Sequence, residues 1–479
     1  MIQGSSLYRA SANVLRVLVR MFFRRVEVSG LENLPSSGGG IFIAWHPNAL
    51  LDGTLILSQY PGRIVVGARH GLFRWPILGW MMRALGVVPV YRRRDFSLDV
   101  DGAVLREANR KSLDAMARAV VEGAFALLFP EGQSHDAPYP TELKTGAARL
   151  YHRARELTPS GGPLPVIIPV GLHYDQKSLF RSSVLVIFHS PLELEEPVAN
   201  PPASTASEDE RRAHYRALTD TLEQTLRDVA HATESWDLHH TMHRARKLFR
   251  AEYAHRRGKT LERPDMKERV LAFRRVWAGY NERLRTHPRE VERMVARIRE
   301  YDRDLRALGV EDHELYATGK FSIGLAFRIA LQAFLVYFVL PPLFLIGYVV
   351  NLPAGLLVWA TSKWAAGEPK DIASSKLVVG ALAFPLTWLA VALLVGWGHT
   401  RLSGLYPQIS QAPVLTGALA FVSSAVSAYV VLHYQMLARQ TFRAVRVRLT
   451  RWRRSHALAA LRAERASLFD ELTRLSQAG

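Results

Sequence analysis

Residues 40–59 read GIFIAWHPNALLDGTLILSQ, and this stretch contains the pattern that decides the fold. Residues 40–44 form a short apolar run typical of a buried strand, and residues 51–59 have the composition of a helix. Pro47 disfavours a helical conformation at the residue before it, so the strand must lead into a loop. A strand that passes through a short loop into a helix is the repeating unit of α/β proteins.

The same alternation of apolar runs and amphipathic stretches continues to about residue 200. Further strands are predicted at 63–67, 87–91, 124–129, 166–173 and 184–187, and further helices at 75–85, 107–122 and 145–156. We therefore expect an α/β domain over 29–200, with a mixed sheet covered by helices.

The first 28 residues predict an amphipathic helix. Its apolar residues are Val14, Leu15, Leu18, Met21 and Phe22, and its arginines, which gather on another face, are Arg9, Arg16, Arg20 and Arg24. Such a helix is typical of a protein surface that lies on a bilayer. The alternative is an ordinary helix docked on its own domain.

Beyond residue 200 the composition changes twice. Residues 201–320 are rich in arginine and glutamate and predict a helical accessory domain, whereas 321–436 contain three uncharged apolar segments at 329–360, 377–397 and 414–432. Because the first is too long for one pass and contains Pro341-Pro342, we expect it to form a hairpin. Arginines dominate the predicted helical tail at 437–479, and positive charge favours the cytoplasmic side. The sequence thus predicts an integral protein of the cell inner membrane, with the tail and the α/β domain in the cytoplasm.

The overall charge of +19 calls for an anionic partner. The apolar segments favour anionic membrane lipids over nucleic acid. The chain has no cysteine, so disulfides, zinc-thiolate sites and cysteine nucleophiles are excluded.

His46 and Asp52 are the leading catalytic candidates. A residue six positions along a regular helix points about 120° aside, so the two side chains cannot touch within one helix. If Pro47 takes the first helical position, His46 lies just outside the helix and folds back to Asp52 in its second turn. The carboxylate would then orient the imidazole as a general base.

With the later block Phe129-Pro130-Glu131-Gly132, this arrangement resembles the PlsC-like glycerolipid acyltransferase superfamily. The usual spacing in that superfamily is four residues between histidine and aspartate, whereas five intervene here. The longer spacing is similar to the branch of glycerol-3-phosphate and dihydroxyacetone-phosphate acyltransferases. Blocks similar to the family's second and fourth occur at 86–92 and 166–172.

The resemblance assigns the acceptor's phosphate to Arg92, whose guanidinium fits phosphate oxygens, with Arg93 and Arg94 as reserves. It places Glu131, Gly132 and Ser134 at the acceptor site, although Gln133-Ser134-His135 departs from the Thr-Arg-Ser of many members. Lys144 follows closely and would add a positive charge, or it is a surface lysine at a helix start.

The resemblance implies transfer of a fatty acyl chain from coenzyme A or acyl carrier protein to the sn-1 hydroxyl of glycerol 3-phosphate. Acylation of 1-acylglycerol 3-phosphate or of dihydroxyacetone phosphate is the close alternative. No cofactor and no metal are expected.

Two other classes of function stay open at the level of the sequence. A membrane phosphoester hydrolase would use His46 and Asp52 on water, with a metal at His135 or His239, and a silent scaffold would use the helical region for partners. His239 and His243 have metal-ligand spacing on a helix, but no glutamate lies between them and arginines surround them.

Overall fold

The structure is a computed structural model that describes residues 5–95, 101–203, 205–259, 264–316, 323–365 and 367–477. The chain forms two compact units. The first comprises Met1–Trp236 and Ala366–Leu377, and the second comprises Asp237–Ala365 and Val378–Gly479. A short segment late in the chain is therefore part of the first unit.

In the described part of the chain, the first unit is built on a seven-stranded sheet. The strands are β1 (Arg25–Ser29), β2 (Gly40–Ile43), β3 (Ile64–Arg69), β4 (Val88–Val90), β5 (Phe125–Leu128), β6 (Val166–Tyr174) and β7 (Ser183–Phe188). Their order is β1-β7-β6-β2-β5-β3-β4, and all neighbours are parallel except β6 and β7. The predicted mixed α/β sheet is confirmed.

The strand β1 was not expected, because its sequence, RVEVS, is short and carries two charges directly after an amphipathic helix. It pairs in parallel with β7 at one edge of the sheet. The other strands lie within one or two residues of the predicted ranges.

Helices cover both faces of this sheet. They are α1 (Ser6–Phe22), α2 (Leu50–Gln59), α3 (Pro76–Ala84), α4 (Gly102–Val121), α5 (Gly146–Leu157) and α6 (Glu208–Ala230). Phe42 packs into a core with α1 and α2, whereas its neighbours Ile41 and Ile43 pack into a core with α4, α5 and α6. Since side chains alternate along a strand, β2 supplies both cores, and each such buried side chain contributes about 1.5–3 kcal/mol.

The predicted start of a helical accessory domain at residue 201 differs from the structure, in which the first unit extends to Trp236 and includes α6. Leu218, Leu222 and Leu226 of α6 are fully buried in the core of the first unit. The arginine- and glutamate-rich composition of α6 reflects its outer face, and the leucines at helical spacing dock it on the sheet.

The N-terminal helix α1 has two apolar faces. Leu15, Val19 and Phe22 are buried in the first core, so docking on its own domain describes this face. Val14 and Met21 are 53% and 55% exposed and lie on another side. Contact of that second face with a bilayer stays a prediction.

The core of the second unit is formed by helices. Its helices are α7 (Trp236–Arg256), α8 (Met266–Thr286), α9 (Pro288–Leu308) and α14 (Ser455–Gln477). Leu248, Ile298, Leu305 and Leu468 are buried together, so the C-terminal helix α14 shares a core with α7 and α9.

An ionic cluster lies inside this core. Arg465 is 1% exposed; its Nε donates to Glu252 Oε2 over 3.0 Å and its Nη1 to the carbonyl of Asp312 over 2.6 Å. The Asp312 carboxylate accepts from Tyr301 over 2.8 Å and from Arg244 over 2.5 Å. Buried charges are tolerated only when paired in this way.

Three helical stretches are long and apolar enough to cross a membrane, by length and composition: Phe327–Trp364, Pro369–Leu405 and Pro413–Thr450. They overlap α10 (Ile323–Phe334), α11 (Leu340–Ala360), α12 (Ile372–Leu405) and α13 (Pro413–Arg453). The predicted spans at 377–397 and 414–432 lie within α12 and α13.

The hairpin predicted over 329–360 requires correction, because the described chain stays helical there. A π-helical turn at Leu335–Val339 precedes α11, and Pro341-Pro342 occupy the first turn of α11. At such a junction the missing N–H groups disturb the ladder of hydrogen bonds least. Continuing the helix also keeps the backbone bonded in an apolar medium.

Candidate active site

The predicted site residues follow three parallel strands at one edge of the sheet; β2 and β5 are neighbours, and β3 separates β5 from β4. His46 follows β2, Glu131 follows β5, and Arg92 follows β4. Because these strands are parallel, their carboxyl ends lie at the same edge. Ligands of α/β sheets are commonly bound at that edge.

The predicted contact between His46 and Asp52 is confirmed. His46 Nδ1 lies 2.9 Å from Asp52 Oδ2, and the carboxylate is fully buried while the imidazole is 16% exposed. This bond fixes the tautomer with the proton on Nδ1, so the lone pair of Nε2 is able to accept a proton.

The route of the chain between these residues differs from the expectation. Helix α2 begins at Leu50 rather than at Pro47, so Asp52 lies in its first turn. Ala49 precedes the helix with φ 45° and ψ −128°, a conformation that residues with a Cβ rarely adopt. His46 reaches Asp52 because this strained turn folds the loop back.

Two further groups hold the Asp52 carboxylate. The amide of Asn48 donates to Oδ2 over 2.7 Å, and the Tyr174 hydroxyl donates to Oδ1 over 2.5 Å. Burial of the Tyr174 hydroxyl, together with the neighbouring Asp52 charge, raises the pKa of Tyr174 well above its usual value. Tyr174 therefore keeps its proton and remains a donor to the carboxylate.

The Phe129 block packs directly on the His46 loop. The Phe129 ring stacks on the His46 imidazole with centroids 3.9 Å apart. The His46 amide donates to Glu131 Oε2 over 2.8 Å, and the His135 amide donates to the His46 carbonyl over 3.1 Å. Motifs 85 residues apart thus form one structure.

Glu131 organises this block. Its carboxylate is buried, and Oε1 pairs with His135 Nε2 at 2.6 Å and accepts from the amide of Thr141 over 3.0 Å. Oε2 accepts from the His46 amide, so both oxygens of the Glu131 carboxylate are hydrogen-bonded within the protein. Its geometry suits the positioning of neighbouring donors.

A cavity of about 1270 Å³ opens beside this block, at the ends of β4 and β5. Arg92, Gly132 and Lys144 line it, together with Phe129, whose ring is the one stacked on His46. Further basic residues along the cavity are Arg106, Arg110, Arg149 and Arg153. The carboxylates of Asp114, Glu131, Glu142 and Glu156 also line the cavity, and because the basic residues outnumber them the lining favours anions.

The remaining predicted residues lie around this cavity. Gly132 has a φ of 70°, which its glycine permits, and the Lys144 amide donates to the Pro130 carbonyl over 2.7 Å. Ser134 is half-buried in the same turn but is not among the described residues that line the cavity. Arg93 is exposed, and the side chain of Arg94 lies outside the described part.

The histidine pair on α7 is a separate feature. His239 and His243 have their Nε2 atoms 3.2 Å apart and both pack on Phe273. Burial, and then the neighbouring His239, lowers the pKa of His243 well below its usual value. Among the described residues, no group of three or more histidines and carboxylates could hold a metal ion.

Comparison with protein families agrees with this geometry. Residues 25–173 match the acyltransferase family model, and residues 242–478 match the model of the glycerol-3-phosphate acyltransferase 2 C-terminal domain. The chain belongs to the glycerolipid acyltransferase family. The two matches fall on the sheet domain and on the helices that follow α6.

Individual relatives are distant. The chain is 22% identical to an uncharacterised acyltransferase of Schizosaccharomyces pombe over 66% of this chain and 56% of that protein. It is 23% identical to glycerol-3-phosphate O-acyltransferase 2 of Saccharomyces cerevisiae over 56% of this chain and 36% of that protein. It is 30% identical to a chloroplastic 1-acyl-sn-glycerol-3-phosphate acyltransferase of Brassica napus over 36% of this chain and 46% of that protein. The chain thus spans only part of the length of these relatives.

Sequence reasoning missed two residues of the site. Tyr174 reaches Asp52 from the end of β6, 122 residues away, and Asn48 binds it through its backbone amide. A tyrosine at the end of a predicted central strand is a signal for Tyr174, since parallel neighbours end at the same edge. The backbone contact of Asn48 leaves no signal in the side-chain pattern.

Proposed function

We propose that this acyltransferase transfers a fatty acyl chain from a thioester of coenzyme A or acyl carrier protein to the sn-1 hydroxyl of glycerol 3-phosphate. The observation that supports it most is the His46–Asp52 pair, whose imidazole is oriented by a buried carboxylate. The basic cavity beside Phe129 supports a phosphorylated acceptor.

The reaction follows from the orientation of the imidazole. His46 Nε2 takes the proton of the acceptor hydroxyl while the oxygen attacks the thioester carbonyl. The tetrahedral intermediate collapses to the ester, the carbon–sulfur bond breaks, and the imidazolium returns its proton to the thiolate. Asp52 stabilises the imidazolium throughout, and Tyr174 and the Asn48 amide hold Asp52 in place.

The acceptor's phosphate would bind Arg92, with the Gly132 turn and Lys144 as further contacts. Arg92 offers a planar set of donors for phosphate oxygens. Lys144 is 66% exposed and lies 3.8 Å from Glu142, so it is able to turn toward a ligand. Fixing the phosphate at a distance from the hydroxyl reduces the entropy lost on the way to the transition state.

A second acceptor, 1-acylglycerol 3-phosphate, is favoured by the match to the Brassica napus enzyme. Both acceptors carry one phosphate, and only the second carries an acyl chain. Dihydroxyacetone phosphate is the third acceptor of this chemistry.

The order of the candidate membrane helices along the chain supports a topology in which the parts of the chain before and after them lie on the same side of the membrane. Within the second unit, α14 shares a core with α7 and α9, so the chain between α9 and α14 crosses a membrane an even number of times. Within the first unit, Ala366–Leu377 pack with Met1–Trp236. Among the described residues no candidate span precedes Phe327.

It follows that helix Phe327–Trp364 has both ends on one side, so this continuous helix lies along the membrane rather than across it, and that α12 and α13 cross and return. We place that side in the cytoplasm, since the arginines at the end of α13 favour it. Because the chain has no cysteine, single cysteines can be introduced and labelled with a thiol reagent that does not cross the membrane. In sealed cells, a cysteine replacing Ser410 should react with reagent added outside. Cysteines replacing Ser362 or His456 should react only from the inside. Labelling of residue 362 from outside would contradict this arrangement.

The acceptor is tested with the purified full chain in detergent. Release of free thiol from acyl-coenzyme A or acylated carrier protein is measured with each of the three acceptors, and then without any. We expect thiol release that depends on glycerol 3-phosphate and is lost in His46→Ala. A preference for 1-acylglycerol 3-phosphate would overturn the choice of acceptor, whereas phosphate release without thioester, abolished by a chelator, would indicate a hydrolase.

A further inference from the structure

The loop that carries the catalytic pair is held by a residue far away in the chain. Ala49 lies in this loop with a positive φ, a backbone conformation that its Cβ disfavours and that a glycine would adopt without strain. Strained backbone of this kind persists only where surrounding contacts hold it. The contacts across this turn therefore decide whether Asp52 meets His46.

The Leu51 amide donates within the turn to the Asn48 carbonyl over 3.1 Å, and Ser374 adds two further contacts to the same groups. Its hydroxyl donates to the carbonyl of Asn48 over 3.2 Å and accepts from the amide of Leu51 over 3.3 Å. One buried side chain thus spans both ends of the strained turn. The two distances are long for hydrogen bonds, so packing around Ser374 matters as well.

The packing comes from the same helical turn. Ala373 and Leu377 are buried in the core that also contains Leu51 and Leu55 of α2. Side chains seated in a core do not move independently of it, because protein interiors are close-packed. The first turn of α12 is therefore fixed against the first turns of α2.

A third contact lies beside it. Lys376 Nζ donates to the carbonyl of Ser178 over 2.9 Å, and the preceding carbonyl, that of Lys177, accepts from Asn48 Nδ2 over 3.0 Å. Asn48 in turn donates its amide to Asp52 over 2.7 Å. A chain of bonded groups thus runs from the start of α12 to the catalytic carboxylate.

We propose that Ser374 is a positioning residue for the His46–Asp52 pair. It holds the turn between Asn48 and Leu51 in the conformation in which the Asp52 carboxylate accepts the hydrogen bond from His46 Nδ1. Ser374 lies in the first turn of the apolar helix α12, in a segment that belongs to the first unit, so catalysis requires that segment to keep its place in this unit. The inference rests on the proposed function only for its kinetic readout.

The test compares Ser374→Ala with Ser375→Ala in the full chain. Ser375 is a half-buried neighbour outside these hydrogen bonds, which makes it a matched control. We expect Ser374→Ala to lower kcat by about 10- to 100-fold with little change in KM for either substrate, since small displacements of catalytic groups cost this much. Ser374→Thr, which keeps the hydroxyl, should restore most of the rate.

Hydrogen–deuterium exchange provides a readout that needs no activity. Peptides containing the Leu51 amide should exchange faster in Ser374→Ala and not in Ser375→Ala. If the wild type releases no thiol with any acceptor, the proposed function fails while the exchange measurement still decides this inference.

Three results would overturn it: a kcat within twofold of wild type, an equal loss in Ser375→Ala, or unchanged exchange at Leu51. Should Ser374→Ala not fold, Lys376→Met takes its place, since it keeps the apolar stem and removes only the bond to Ser178. A kcat lowered about threefold at constant KM then supports the proposal. An unchanged kcat contradicts it.

Discussion

Two histidine–carboxylate pairs lie side by side in the first unit and differ in what they leave available. In the first, Asp52 bonds His46 through Nδ1 at 2.9 Å. In the second, Glu131 bonds His135 through Nε2 at 2.6 Å, and His135 Nδ1 also accepts from the amide of Ala137 over 3.1 Å. Both ring nitrogens of His135 are used within the protein, whereas His46 has one bonded nitrogen and a partly exposed ring.

The difference shows that a buried carboxylate beside an imidazole does not by itself make a catalytic pair. Glu131 and His135 satisfy each other and neighbouring amides, so their bonds stabilise the loop. Asp52 is bonded to Tyr174 and Asn48 on its other lone pairs, and its bond to His46 Nδ1 orients the ring, which is the arrangement that a general base would need. The substitutions below separate the two pairs.

The largest effect is expected for His46→Ala. Removing the general base should lower kcat by about 10²- to 10⁴-fold, the usual contribution of a positioned base. The measurement is thiol release at saturating acceptor. The fold should be retained with a modest fall in melting temperature, because the buried Asp52 carboxylate loses its imidazole partner. A retained kcat would remove His46 from the mechanism.

A smaller effect is expected for Tyr174→Phe. The phenyl ring keeps the packing and removes the donor to Asp52, which should lower kcat by about tenfold, equivalent to one hydrogen bond to a charged group. Because the pKa of Tyr174 is raised above its usual value, the hydroxyl stays protonated at every pH below about 10. The wild-type rate should therefore show no loss through this group up to that pH. A fall caused by Tyr174 ionisation near pH 8 would contradict it.

His135→Ala should act mainly on stability. It leaves the buried Glu131 carboxylate without its imidazole partner, and the free energy of unfolding should fall by about 1–3 kcal/mol. The melting temperature of the full chain in detergent measures this loss. Below that temperature kcat should stay within about tenfold of wild type, well above His46→Ala; equal losses would make the two pairs equivalent.

The smallest effect concerns a third histidine, His152, which is fully buried. Neither ring nitrogen has a hydrogen-bond partner among the described residues. Burial, followed by His214 and Arg155, lowers the pKa of His152 to about 4. As pH falls from about 6.5 toward 4, His152 is protonated in the unfolded chain but stays neutral in the folded chain. Protonation therefore favours the unfolded chain, and the free energy of unfolding falls.

The check is the melting temperature between pH 7 and pH 4.5. The drop should be smaller in His152→Leu than in wild type. Replacing His456, an exposed histidine of α14, by leucine should leave the drop unchanged. Identical pH dependence in all three proteins would show that the buried imidazole does not govern acid stability.

Much of the site could be predicted from the sequence because its parts are local. His46 and Asp52 are six residues apart, and the strand before them and the Phe129 block have clear apolar patterns. Tyr174 and Ser374 could not be found this way, since they reach the loop from 122 and more than 300 residues away. Only the strand order and the packing of α12 bring them there.

The fold shows the same limit. β2, β5 and β6 are apolar runs that a buried strand requires, and they were predicted. The start of α2 at Leu50 depends on a strained turn at Ala49 that no turn residue announces. At Pro341-Pro342 local proline rules predicted a break, but the π-helical turn before them lets the helix continue.

The ionic cluster around Arg465 has a practical consequence for dissecting the protein. A fragment ending after α13 would lack this guanidinium, which is one of the two cations bonded to Glu252, and would leave Arg256 as the other. Glu252 Oε2 and the carbonyl of Asp312 would lose their buried donor, and the accessory helices would be expected to loosen. Genetic truncation of the last helix is therefore a disruption of the second unit's centre, and a loss of function in such a fragment carries no information about the acyl-transfer site.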